Sequence, residues 1–408
     1  MGSDTPFAHE DEADNPLRPV WEDAADETEI EQGHAPLSRL ASHADLDSDL
    51  LLTTLAEAAD ALARLDARVG ASDEAIRTGL LARLALTEAA GWLAHAHSWV
   101  HPLDLALRNA DLTAPAALAA LGAGARALPH TIAQPAGRLG WEDPPLDTMP
   151  AADQAIADAL VFARLLRRLP GGGPPPFASA ASAADALTGL GAAVDRNSLA
   201  NWWDAHAPAP PLRRRFGARG REGRTPRPPL LAGAGAAQAW MQAAITTRAE
   251  PMHALLTAFG RLVRQPPVRS VFVPLWSAYP AVGFGDRDAL PMLRSDVVDR
   301  IAGRGRSVTW QVAALHLIAE SARLGLRDLD RLQIAAEKGR DELAATDKRS
   351  RLPDALEALL RAPLLTPKAL AAQLRIAPQT ATALLRDWQG RGIAREVTGR
   401  GRFQAYAV

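Results

Sequence analysis

Between Pro353 and Val408 the chain is punctuated at nearly every point where a helix can start or stop, and one order of elements fits the marks. Pro353 stands at the head of an apolar-periodic stretch, 353–361, where its missing N–H costs no helical bond. Thr366, followed by Pro367, opens a second stretch, 367–374, with a hydroxyl able to cap the first free amides. Arg375-Ile376-Ala377 separate it from a third, 378–389, which begins on Pro378 and is stopped by Gly390 and Gly392. A short strand at 393–397, a turn of Thr398-Gly399-Arg400-Gly401-Arg402 and a second strand at 403–408 complete the unit. Leu359, Leu360, Leu365, Leu370, Leu374, Ile376, Ala381, Leu384, Leu385, Trp388, Ile393, Val397 and Tyr406 are the side chains that would fill its core.

Helix, helix, tight turn, helix, hairpin is the order of a winged helix-turn-helix. The second of two helices joined by a tight turn can enter a DNA major groove with its N-terminal residues on the base edges. That puts Gln379, Thr380 and Thr382 forward. Gln pairs bidentately with adenine, and Thr can bond a base or touch a thymine methyl. Arg386 lies further along, nearer phosphate. Arg400 and Arg402 at the hairpin tip suit a wing touching phosphates or the minor groove. Thr366 and Lys368, at an exposed helix start, are further phosphate candidates. A winged helix can also serve protein contacts, but residues 348–408 carry eleven bases against four acids, a net of +7 that favours DNA.

Upstream the chain also reads as helix. Alanine supplies 86 of 408 residues and aromatics 5%, a balance that favours helix over sheet. Leu51, Leu55, Ala58, Leu62, Leu65 and Val69 form one stripe, ended by Gly70, and Ser72 is placed to cap the next helix, which runs to about His97. Further helices are expected at 103–109, 113–128, 151–169, 181–194, 197–206, 232–264 with a break at Pro251, and 308–345, where Gly325 is a possible split. The run 268–276 (VRSVFVPLW) is the single strand-like stretch of the middle, kept to an edge by Pro274. The fold class is therefore mainly α: a multi-helix N-terminal and middle region with a C-terminal winged helix-turn-helix bearing a small β-hairpin wing. The segments are an acidic disordered tail (1–45), a helical N-terminal domain (46–170), a linker region rich in Pro, Gly and Arg with short helices (171–230), a helical middle domain with a long connecting helix (231–347) and the DNA-binding unit (348–408).

The net charge of −2 conceals opposite poles. Residues 1–34 hold eleven acids and one base, a net of −10, while 213–227 hold seven arginines among glycines and prolines, which reads as a mobile basic loop. The tail is a candidate to compete with DNA for the basic head. The absence of cysteine excludes disulfide, zinc-thiolate and thiol chemistry. Three lysines against 42 arginines suggest a GC-rich bacterial source. No signal peptide or membrane span is read, so the expected location is cytoplasmic, at the nucleoid.

The segment ALEALLRAPLLTPKALAAQLRIAPQTATALLRDWQGRGIAREVTGRGRFQAYAV resembles the winged helix that follows the catalytic core in many bacterial Fic-family proteins, and LAEAADALARLDARVGASDEAIRTGLLARLALTEAAGWL resembles the helical region before a Fic core. Fic enzymes carry a His-Pro-Phe-x-x-Gly-Asn-Gly-Arg loop. The stretch from His101 and Pro102 to Arg108 has neither the Gly nor the Asn that let a backbone cradle pyrophosphate, so no catalytic role is carried over. The whole arrangement is similar to an uncharacterised alphaproteobacterial family of helix-turn-helix proteins, often borne on plasmids or mobile elements, which implies DNA binding and no established reaction.

His95, His97 and His101 are close in sequence, but Pro102 interrupts the helix that would align them, so they read as core or interface histidines. Trp202, Trp203 and Trp276 read as packing anchors. The residues predict a sequence-specific double-stranded-DNA-binding protein, a transcriptional regulator acting as a homodimer through its winged helix. The alternatives are a diverged Fic-like nucleotidyl transferase and a plasmid-maintenance or nucleoprotein scaffold factor. No catalytic residue, metal site or cofactor is expected, and a small-molecule or protein effector is left open.

Overall fold

Among the described residues, stretches where leucine and alanine recur every third or fourth position wind into helix. The structure, a computed structural model, describes residues 48–95, 100–110, 112, 149–170, 176–206, 227–243, 245–246, 251–262, 270–278, 307–344, 350–398 and 404–408. The acidic tail, the helix expected at 113–128, most of the arginine loop, and Arg400 and Arg402 lie outside these residues.

Twelve helices and one hairpin form the regular structure among the described residues, so the mainly α class holds. α1 (Ser48–Ala71) and α2 (Glu74–His95) are followed by the short α3 (Pro102–Asn109) and by α4 (Met149–Arg168). Then come α5 (Ala180–Thr188), α6 (Arg196–Ala205), α7 (Pro229–Gln242), α8 (Pro251–Leu262) and the long α9 (Ser307–Leu343). The C-terminal unit holds α10 (Leu352–Arg361), α11 (Pro367–Leu374), α12 (Pro378–Gly390), β1 (Arg395–Glu396) and β2 (Tyr406–Ala407).

α1 runs parallel to α9. Its buried stripe of Ala58, Leu62, Leu65 and Val69 faces Ile318, Ala322, Leu329 and Leu332, and the rim is laced by Glu57–Arg323 and Arg68–Asp330 pairs. Gly325, a candidate split in the sequence, leaves α9 unbroken. The glycine instead lets Leu65 approach closely, since a Cβ there would stand 3.1 Å from its Cδ2. α2 lies among α4, α9 and α10, with Trp92 edge-on to Phe162 at 5.5 Å. Ser72 does not cap α2: its hydroxyl donates back to the Arg68 carbonyl, and the first helical bond of α2 is accepted by Asp73. Trp202, Trp240 and Trp276 are buried, and Trp202 Nε1 donates to the Ala236 carbonyl at 2.9 Å.

The strand expected at 268–276 is not one over its described part: residues 270–278 form no strand among the described residues, and all but Ser270 are buried. Buried amides need acceptors, and here side chains replace a ladder. The Asp66 carboxylate accepts from Ser270 and Val271, and Glu88 accepts from Leu275, Trp276 and Ser277. Ser321 of α9 bonds the Ala278 amide and the Leu275 carbonyl. Buried apolar side chains from Ala58 to Tyr406 form one continuous cluster.

Candidate nucleic-acid interface

Proline opens each helix of the C-terminal unit, and packing sets their angles. Leu356, Leu359 and Leu360 of α10, Leu370 of α11, and Ala381, Leu385 and Trp388 of α12 are buried together. Trp388 is fully buried and its Nε1 donates to the Leu352 carbonyl at 3.2 Å, tying α12 to α10. Leu374, Ile376, Leu384 and Val397, also expected in this core, are only half-buried at its edge.

The tight turn is made by Arg375, whose φ of 54° and ψ of 47° place it in the left-handed region. Its neighbour Ile376 closes the turn by donating to the Ala371 carbonyl at 3.0 Å. Thr366 caps α11, its hydroxyl oxygen accepting the Ala369 amide at 3.1 Å. α12 begins on Pro378 with no side-chain cap, so the first free amides of this helix point outward unspent.

The hairpin is shorter than the sequence suggests, two residues per strand, with Arg395 opposite Ala407 and Glu396 opposite Tyr406. It is extended by a bridge that sequence reading missed. Leu365 and Tyr406 exchange backbone bonds at 2.8 and 2.9 Å, pinning the hairpin to the α10–α11 connection. Tyr406 is fully buried and donates its hydroxyl to Gln404 Oε1, which also accepts from Arg386.

On α12 the proposed contact residues are turned from the core. Ala381, Leu385 and Trp388 recur at i, i+4 and i+7 toward the core, which turns the Gln379–Thr382–Arg386 stripe away from it. Gln379, Thr380, Lys368 and Arg386 are exposed; Thr366 and Thr382 are half-buried. Thr382 spends its hydroxyl hydrogen on the Pro378 carbonyl at 2.9 Å, leaving its methyl and its oxygen lone pairs to a partner.

Charge divides between two faces. Arg351, Arg361 and Arg391 each pair with a carboxylate, respectively Asp354, Glu357 and the pair Asp387 and Glu342. Lys368, Arg375, Arg386 and Arg395 have no carboxylate partner among the described residues. The excess positive charge therefore gathers on the α11–turn–α12 side and the hairpin. Asp354, Glu357 and Asp387 lie three or four residues from their arginines, and only Glu342, on α9, is a partner that counting charge along the unit does not reveal.

α2 and α9 hold the unit in place. A Cβ on Gly79 would stand 1.8 Å from the Leu360 carbonyl oxygen, so only glycine admits the end of α10. One turn on, the half-buried Arg83 donates to the Leu359 and Leu360 carbonyls, at 3.2 and 3.0 Å, satisfying two of the last free acceptors of α10. His101 belongs to α3: its Nδ1 accepts the Leu103 amide at 3.1 Å as a helix cap. Burial and the nearby Arg395 charge push its pKa down to about 4. Among the described residues no His, Asp or Glu cluster could hold a metal ion, and no helix is long and apolar enough to cross a membrane.

Two comparisons bear on this unit and on the chain. Residues 352–408 match a family model described as an HTH DNA binding domain, which coincides with α10 through β2. The chain is also 30% identical over 149 residues to the uncharacterized protein y4cF of Sinorhizobium fredii (strain NBRC 101917 / NGR234), a match covering 36% of this chain. The match likewise spans 36% of that relative's length. The C-terminal domain supports a DNA-binding protein.

Proposed function

We propose that the chain is a sequence-specific regulator of transcription that binds double-stranded DNA as a homodimer and works at the nucleoid. The observation that carries this reading is the partition of charge. Arg351, Arg361 and Arg391 are neutralised by carboxylates, while Lys368 and Arg386 flank an exposed α12 face headed by Gln379 and Thr380. Gln379, Thr380 and Thr382 face base edges, and Lys368, Arg386 and the Thr366 turn face phosphates. Arg400 and Arg402, outside the described residues, are assigned to the wing from sequence alone. One α12 offers few base contacts, and a second copy on a palindrome about 34–36 Å away supplies the rest. A scaffold or plasmid-maintenance factor would use the same contacts, and only the position of its sites would differ.

Binding of labelled genomic duplex, followed by anisotropy over a salt titration, tests the reading. Replacing Lys368 and Arg386 together by alanine should weaken binding to all sequences and lower the log–log salt slope by about one per lost phosphate contact. Gln379→Ala should cost about 1–3 kcal/mol on the preferred site and little on random duplex. Unchanged affinity and slope in both variants would place the interface elsewhere. Sedimentation with and without DNA reads the stoichiometry.

A further inference from the structure

Between the hairpin and the helical body, α2, α3, α9, β1 and β2 line an open cleft of about 190 Å³. Arg83, Thr87, Leu103, Asp328, Arg331 and Arg395 are among the residues around it. Three arginines and one aspartate share its lining with Ala407 and Val408. Arg331 pairs with Asp328 at 3.2 Å, and Arg395 has no carboxylate partner among the described residues.

Arg83 is the unusual group. Its guanidinium is half-buried and fixed by the Leu359 and Leu360 carbonyls, yet no carboxylate lies within ion-pair distance among the described residues. Loss of solvent pushes its pKa down to about 10, and the charge of Asp328 only partly offsets this. A cation drawn partly out of water without a contacting counter-charge is costly, and an anion entering from the cleft would supply one. Arginine is also the side chain whose planar fork fits carboxylate and phosphate oxygens. The volume corresponds to roughly six waters at about 30 Å³ each, which suits a small acid. Leu103 and Pro102 give its carbon skeleton an apolar wall.

We infer that this cleft is a binding site for a small organic anion, a carboxylate or a phosphate monoester, held among Arg83, Arg331 and Arg395. Because Arg83 and Arg331 belong to the helical body and Arg395 to β1, a bound anion joins the hairpin to the body and favours the conformation in which the two are docked.

Calorimetric titration of the full chain at constant ionic strength tests the site. The probes are inorganic phosphate, glycerol 3-phosphate and succinate, with glycerol as the uncharged control. At least one anion should bind with Kd below about 1 mM, and which one does separates the phosphate source from the carboxylate source. Arg395→Ala and Arg331→Ala should each weaken that binding about tenfold. Both side chains are largely exposed, so neither variant threatens the fold. The Lys368→Ala, Arg386→Ala double variant should keep the affinity, since neither base lines the cleft. The inference is overturned if none of the three anions binds. It is equally overturned if the double variant loses the binding while Arg395→Ala and Arg331→Ala keep it.

Discussion

Glu88 sits where a strand ladder would otherwise be needed. It is 1% exposed, and its Oε2 accepts the Leu275 and Trp276 amides at 2.9 and 2.8 Å while Oε1 accepts from Ser277. Burial raises its pKa more than these bonds lower it. The folded state therefore keeps the proton to higher pH than the unfolded chain. The stability this contributes is complete below the ordinary carboxylate value and is lost as pH rises through the folded one. Glutamine cannot replace the acid, because its NH₂ cannot accept and would face two donors. Glu88→Gln is expected to cost roughly 1–3 kcal/mol for each orphaned donor. The deficit should be larger at pH 5 than at pH 8, as read by urea unfolding. A variant as stable as the parent at both values would deny the carboxylate this role.

At the scale of elements, glycine decides how closely helices approach, and two positions show the range. Gly79 on α2 meets a backbone carbonyl, whereas Gly325 on α9 meets the tip of the flexible Leu65 side chain. Gly325→Ala gains about 1 kcal/mol of helix propensity and asks Leu65 to yield by tenths of an ångström. The net change in a thermal melt should lie near zero. Gly79→Ala gains the same propensity, yet α10 must move as a body, so a loss near 3 kcal/mol is expected. Equal effects at the two sites would mean that α10 does not rest on α2 as described. The contrast also shows what could be read from the chain. Pro102, Pro353, Pro367 and Pro378 mark their helices because a helix start needs only local chemistry. So do the Thr366 cap and the Ala381–Leu385–Trp388 stripe, and with them the α12 face. The bonds of residues 270–278 come instead from Glu88, nearly two hundred positions away. A β-rich apolar run looks the same whether strands or side chains satisfy its amides. Arg83 as a cap for α10, and the Leu365–Tyr406 bridge, were hidden for the same reason. The Gly79 gap carries no local pattern either.

For the whole molecule the question is whether the C-terminal unit is tethered or built in. Two kinds of contact join it to the body. Arg391–Glu342 is a surface pair, with side chains 27% and 42% exposed, and such pairs contribute about 0–1 kcal/mol. The buried contacts are of another order: Gly79 under Leu360, Arg83 on the α10 carbonyls, and Gly339 of α9 against Leu356. They make α10 part of the same apolar cluster as α1 and α9. Body and head should then unfold as one cooperative unit. In native-state hydrogen exchange, amides of Leu359 and Leu385 in the head and of Leu62 and Ile318 in the body should converge on a common opening free energy, to within about 1 kcal/mol, as urea is raised. Glu342→Ala should leave that convergence intact, because its pair with Arg391 is solvated. Gly79→Ala should split it, the head opening first. If the head amides already open below those of the body in the parent chain, the buried seam does not couple them, and an anion in the cleft behind the hairpin could not hold the two together.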